Sequence, residues 1–203
     1  MIGIINYGLG NIKAFENAFN DLKIKTKVIS KNDDISKQIS HIILPGVGSF
    51  DSAILKLNQS GLKESLVDYI FSSEIPVLGV CVGMQIMAES SQEGKLEGLN
   101  WVPGKVLRFP IDNNLQINIP HMGWNSINLV KESPLFSEIE EPYFYFLHSY
   151  YFSPKIEEIT IGKTFSGKEF TSIFKYKNFY GTQFHPEKSH QNGIKLLRNF
   201  ALI

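Results

Sequence analysis

Pro76-Val77-Leu78-Gly79-Val80-Cys81-Val82-Gly83-Met84-Gln85 is the stretch on which the reading of this chain turns. An apolar run followed by Gly-x-Cys-x-Gly reads as a buried strand, a sharp turn and a helix start. The backbone folds tightly there, and a Cβ at either glycine would collide with the neighbouring strand or with a substrate. Cys81 is the only cysteine in 203 residues. On a strained strand-to-helix turn its sulfur is lifted out of the sheet, and the positive end of the helix dipole favours the thiolate. A lone cysteine is also commonly a small buried hydrophobe in a core strand. The segment by itself leaves both readings open.

The sequence on either side supplies a sheet for that strand. Ile2–Ile5 reads as a buried strand, and Asn11–Leu22 carries Ile12, Phe15, Phe19 and Leu22 at helical spacing. Lys27–Ser30 and His41–Leu44 read as strands, Asp51–Asn58 and Leu62–Phe71 as helices, and Val77–Val80 as the next strand. Strands alternating with helices predict a parallel sheet of the flavodoxin-like α/β class, with ligands at the strand ends. From Trp101 onward the chain becomes rich in aromatic residues, isoleucine and asparagine. Tyr143–Leu147, Ile159–Phe165, Thr171–Tyr176 and Phe179–Phe184 predict added antiparallel strands, and Gln191–Phe200 a last helix. The expected architecture is one domain over residues 1–203.

A nucleophile needs a base, and the base needs an orienting group. Tyr180-Gly181-Thr182-Gln183-Phe184-His185-Pro186-Glu187-Lys188-Ser189 offers both. Pro186 ends the strand, so His185 can face the thiol while Glu187 holds its other ring nitrogen. Taken alone, the segment also reads as a solvated turn after an edge strand.

Together the two segments resemble the class I, triad glutamine amidotransferases, whose glutaminase domains carry Gly-x-Cys-x-Gly and a late His-Pro-Glu. The resemblance extends to the glutaminase subunits of imidazole glycerol phosphate synthases. It rests on Asn6-Tyr7-Gly8-Leu9-Gly10-Asn11, Pro45-Gly46-Val47-Gly48-Ser49-Phe50, Pro120-His121-Met122-Gly123-Trp124-Asn125 and His148-Ser149-Tyr150-Tyr151, in that family's order along nearly the whole chain. The resemblance implies L-glutamine as substrate, with Cys81, His185 and Glu187 as the catalytic set. It implies an oxyanion hole from Gly46, Val47, Gly48 and the N–H of Val82. It implies that Gln85, Glu93, His148, Ser149 and Tyr150 bind glutamine. It also implies a (β/α)₈ barrel cyclase subunit as heterodimer partner, docked on Trp124, Tyr145 and Lys188 and receiving ammonia by a protected route. Gln85 lies one helical turn after Cys81 and so faces the same side as the thiol.

Some positions depart from the family. Asn6 stands where histidine-pathway members mostly have Asp, Val82 replaces the usual Leu, and His190 follows the Lys188-Ser189 pair. The stretches Asn6–Phe15 and Lys188-Ser189-His190 resemble paralogues whose ammonia serves an N-acetyl sugar amidotransferase in surface polysaccharide synthesis. An inert flavodoxin-like binding module is the non-enzymatic reading, and the complete Cys81, His185, Glu187 set argues against it.

Composition excludes other classes. Twenty basic and twenty acidic residues give a net charge of zero, which disfavours nucleic acid and anionic membranes as partners. Gly8-Leu9-Gly10-Asn11 follows a strand, but Lys13 stands where a dinucleotide loop has its third glycine. The five histidines, at 41, 121, 148, 185 and 190, show no metal-ligand spacing with Cys81, so no metal and no cofactor is expected. A single cysteine, no signal-like N-terminus and no apolar stretch of about 20 residues predict a cytoplasmic protein.

Overall fold

The computed structural model describes residues 1–110 and 119–203. In chain order the elements are β1 (Ile2–Ile5), α1 (Ile12–Asp21), β2 (Thr26–Ile29), β3 (His41–Gly46), α2 (Phe50–Gln59), α3 (Lys63–Ser73), β4 (Val77–Cys81) and α4 (Val82–Gln85). There follow β5 (Ser90–Ser91), β6 (Gly104–Arg108), β7 (His121–Ser126), β8 (Asn128–Leu129), β9 (Tyr143–His148) and β10 (Tyr150–Pro154). The chain closes with β11 (Thr160–Phe165), β12 (Glu169–Tyr176), β13 (Phe179–Thr182) and α5 (His190–Phe200).

The main sheet has the order β2-β1-β3-β4-β13-β12-β11-β8. The pairings from β2 through β13 are parallel, and those from β13 to β8 antiparallel. This is the expected α/β sheet, mainly parallel with antiparallel strands added. Phe179–Phe184, read as an antiparallel strand, is antiparallel only to β12. On its other edge it runs parallel to β4, and it ends at Thr182.

Local chemistry explains the elements that place the site. β1, β3, β4 and β13 are buried along their whole length, as strands covered on both faces must be. The α1 helix is capped by the Asn11 side chain, which accepts from the Ala14 N–H, and it buries Phe15, Ala18 and Phe19. The α2 helix is capped by Ser49 and buries Phe50, Ala53, Ile54 and Leu57.

Two smaller sheets accompany the main one, with β10 packed against β12. β7 pairs with β9, and β10 with β6, which pairs in turn with β5. β9 and β10 are separated only by Ser149, yet belong to different sheets. The chain therefore pivots at Ser149, beside the carboxyl ends of β3 and β4. No helix among the described residues is long and apolar enough to cross a membrane.

Candidate active site

Cys81 sits at the junction of β4 and α4 with φ +53° and ψ −113°. A non-glycine residue in that region costs on the order of 1–3 kcal/mol, and it persists only where the surroundings over-determine it. They do so here. The turn packs directly against β3, so that a Cβ on Gly83 would run into the Leu44 carbonyl, and one on Gly46 into the Gly83 nitrogen. The Val82 N–H opens α4, immediately after the thiol.

The C-terminal segment meets this turn because β13 pairs with β4, Thr182 opposite Val80. Beyond Thr182 the chain crosses to β9, where the His185 N–H donates to the Tyr145 carbonyl at 2.9 Å. The His185 ring is thereby turned to the thiol. Its Nδ1 hydrogen bonds Glu187 Oε1 at 2.9 Å, and the two side chains are 3% and 2% exposed. Burial pushes the His185 pKa down. Hydrogen bonds and charge from the Cys81 sulfur and the Glu187 carboxylate outweigh burial and raise it to about 10.

Around the sulfur lies a second set of polar groups. Gln183 Nε2 donates to Cys81 Sγ at 3.8 Å, and Gln183 Oε1 accepts from Gln85 Nε2 at 3.0 Å. Gln85 Nε2 also donates to the Tyr150 carbonyl at 3.0 Å. Both glutamines are buried. Gln183 received no role from the sequence; its amide becomes a ligand to sulfur only through the pairing of β13 with β4.

The thiol opens into a cavity of about 250 Å³. Val47, Gly48, Val82, Gln85 and Glu93 line one side, and Leu147, His148, Ser149, Tyr150, His185 and Lys188 the other. Gly46 stands beneath it, packed on the α4 turn. Glu93 Oε2 accepts from the Phe50 N–H at 2.8 Å, which ties the cavity rim to the start of α2. Tyr7, left without a role by the sequence reading, braces the end of β3: its hydroxyl donates to the Pro45 carbonyl at 2.7 Å. Burial, with the nearby Cys81 charge, pushes the Tyr7 pKa well up, so the phenol keeps its proton.

Trp124 and Tyr145 lie outside the cavity on the face beside its mouth. Trp124 is 38% exposed and stacks on His190 (5.0 Å between ring centres, 1° between planes) and on Tyr143 (5.7 Å, 22°). Lys188 Nζ lies 5.8 Å from the Tyr145 ring centre. Met122 at 66%, Leu147, Val47 and Ile119 are exposed around the same mouth. The departures from the family pattern have local accounts. Asn6 Oδ1 accepts from the Gly8 N–H at 3.2 Å and Asn6 Nδ2 donates to Ser30 Oγ at 3.2 Å, which braces the loop after β1. The Val82 side chain is buried.

A strained cysteine at a strand end, an imidazole hydrogen-bonded to a buried carboxylate, and a helix-opening N–H beside the sulfur meet at one cavity, an arrangement suited to amide hydrolysis by a thiol. The chain belongs to the glutamine amidotransferase class-I family, which it matches over residues 3–203. It is 47% identical over 203 residues to imidazole glycerol phosphate synthase subunit HisH of Leptospira interrogans, covering 99% of each chain. It is 46% identical over 205 residues to the subunit of the same name in Bdellovibrio bacteriovorus, covering 100% of each. A crystal structure of a glutamine amidotransferase superposes with a TM-score of 0.75 at 15% identity, covering 99% of this chain and 97% of that one, which bears on the fold alone.

Proposed function

We propose that this chain is the glutaminase subunit of an imidazole glycerol phosphate synthase, acting in histidine biosynthesis in the cytoplasm. The observation that carries the chemistry is the buried line Cys81, His185, Glu187 at the floor of the cavity. Full-length similarity to proteins named imidazole glycerol phosphate synthase subunit HisH supports the acceptor. It favours that reading over a sugar amidotransferase partner.

The reaction follows from these groups. The Cys81 thiolate attacks the side-chain amide carbon of glutamine, and the carbonyl electrons move to oxygen. The N–H of Val82 and one from the Gly46–Gly48 loop hold that oxyanion; one such donor is worth roughly 10²–10³ in rate. The C–N bond then breaks, and the protonated His185 gives its proton to the departing nitrogen, so neutral ammonia leaves. Sulfur is now a thioester and carries no charge. The sulfur's share of what held His185 protonated is gone, while Glu187 still favours the charged ring, so the neutral ring can take a proton from water. The resulting hydroxide attacks the thioester, glutamate leaves, and the thiolate–imidazolium pair is restored. Glu187 keeps the ring oriented through both halves.

Gln85, Glu93, His148, Ser149 and Tyr150 form the glutamine pocket, with Glu93 toward the α-amino group. Ammonia passes to a (β/α)₈ barrel cyclase docked on Trp124, Tyr145 and Lys188, where exposed Met122 and Leu147 add apolar area. The test uses the chain with its cyclase subunit, glutamine and the aminoimidazole ribonucleotide precursor of the histidine pathway. Imidazole glycerol phosphate and glutamate should appear in equal amounts. Glutamate without that product would overturn the acceptor, and absence of both would overturn the glutaminase.

A further inference from the structure

His121 and His148 stand directly opposite each other in the β7–β9 pair. His121 Nδ1 and His148 Nε2 are 2.9 Å apart. On the far side, His148 Nδ1 lies 2.8 Å from the Tyr150 carbonyl. Asn125 Nδ2 lies 3.1 Å from His121 Nε2. Both rings are buried and walled by Phe146 and Phe170, at 4.8 and 5.8 Å from His121 and at 5.8 and 5.1 Å from His148. Burial there pushes the pKa of His121 down to about 4 and that of His148 to about 3, so both are neutral at neutral pH.

Neutrality fixes every proton in this chain of bonds. A carbonyl only accepts, so His148 carries its hydrogen on Nδ1 and leaves Nε2 bare. His121 must then donate from Nδ1, and its own bare Nε2 accepts from the Asn125 amide. The second Asn125 hydrogen goes to the Phe165 carbonyl at 3.0 Å. The direction is thus Asn125 to His121 to His148 to Tyr150. The last member cannot take a proton, so the chain conducts none. The Tyr150 carbonyl already receives Gln85 Nε2. With His148 it is held by two donors, which leaves it no lone pair for a substrate. Its role is therefore to fix the Ser149 pivot, whose flanking residues form the cavity wall.

We infer that His121 is a positioning residue for glutamine: by donating to His148 Nε2 it locks that ring as the Nδ1–H tautomer, which ties down the Tyr150 carbonyl and shapes the His148–Tyr150 wall of the pocket. The inference rests on the glutaminase reading for its substrate, but its proton assignment does not.

Two measurements test it. The first is the ¹⁵N chemical-shift pattern of the histidine rings at neutral pH in the wild-type chain. Both His121 and His148 should be neutral with hydrogen on Nδ1; a His148 found as the Nε2–H form overturns the inference whatever the enzyme hydrolyses. The second is glutaminase kinetics of the complex with the cyclase subunit, for His121→Phe and for His121→Asn, whose amide sits where Nδ1 was. His121→Phe should raise KM for glutamine about tenfold with kcat within about twofold, the scale of leaving one buried acceptor unpaired. His121→Asn should return KM to within about threefold. Unchanged KM in His121→Phe overturns the inference. So does equal damage to both variants alongside a lowered melting temperature, which would mark a purely structural role. Absence of glutamine hydrolysis in the wild type would instead strike the proposed function and leave the tautomer result standing.

Discussion

The Tyr7 hydroxyl and the Pro45 carbonyl are bonded at 2.7 Å, between the loop after β1 and the end of β3. The bond pins the peptide that enters Gly46. Rotation needed to present an oxyanion donor is thereby confined to the exposed stretch Val47–Gly48, where Gly48 has φ +90° and open space around it. Tyr7→Phe removes the pin and leaves the Pro45 carbonyl unpaired. Stability should fall by about 1 kcal/mol. Partner-stimulated kcat should fall further, about tenfold, because the oxyanion donors lose their preorganisation. Urea unfolding and steady-state kinetics check the pair of effects. Unchanged kcat would mean the loop does not depend on Tyr7.

Removing the sulfur should remove the reaction. Cys81→Ala and Cys81→Ser should abolish glutamine hydrolysis while leaving the chain folded. Glu187→Gln keeps a hydrogen-bonding group beside His185 Nδ1 and should cost less than Glu187→Ala, which keeps none. Glutamate release by each variant decides the order. Residual hydrolysis by Cys81→Ala would refute the nucleophile.

His185 should stay protonated well above the ordinary histidine range. Its folded-state pKa is raised above 6.5 to about 10. Its proton therefore stabilises the fold in full below pH 6.5, and that contribution is lost as pH rises from 6.5 through about 10. Ring ¹³C and ¹⁵N shifts followed across pH should show a cationic His185 at pH 8. In Cys81→Ala the titration should move down, since one source of the upward shift is gone. A wild-type midpoint near 6.5 would rule out the ion pair.

Two glycines of one loop should respond differently. A methyl at Gly46 meets the backbone of Val82 and Gly83, which cannot step aside, whereas one at Gly48 meets open space and only the left-handed backbone opposes it. Gly48→Ala should cost about 1–2 kcal/mol. Gly46→Ala should cost more, through overpacking against the nucleophile turn, or prevent folding. Melting temperatures in the reverse order would contradict the packing argument.

The aromatic stack beside the cavity mouth should carry partner affinity. Trp124→Ala removes a rigid, half-exposed anchor held between His190 and Tyr143. Dissociation of the cyclase complex should rise by at least about tenfold, as for a central aromatic hot spot. A calorimetric Kd equal to the wild-type value would place the partner elsewhere.

The elbow was legible because it is local. An apolar run, a cysteine and flanking glycines determine strand, turn and helix within ten residues, and Cys81 takes the strained φ that such a turn demands. The last strand ends at Thr182, four residues before the proline expected to stop it, but the bond from His185 to Glu187 spans two residues and is equally local. What escaped the sequence depends on register between distant strands. His121 and His148 meet only because β7 and β9 pair as they do, and Gln183 reaches Cys81 only across β13 and β4. The strand β6, with exposed Lys105 and Arg108, carries too weak an apolar alternation to be read unaided. The division of one aromatic run into β9 and β10 shows in the sequence only as the polar pair His148-Ser149.

The pairing of β13 beside β4 also sets when this chain becomes reactive. A chain made only as far as β12 lacks both Gln183 and His185, so neither exists to charge or discharge the sulfur. During synthesis the thiol is thus disarmed through most of translation. Docking of one short, late strand supplies both groups. A ribosome-bound intermediate therefore cannot waste glutamine or release ammonia.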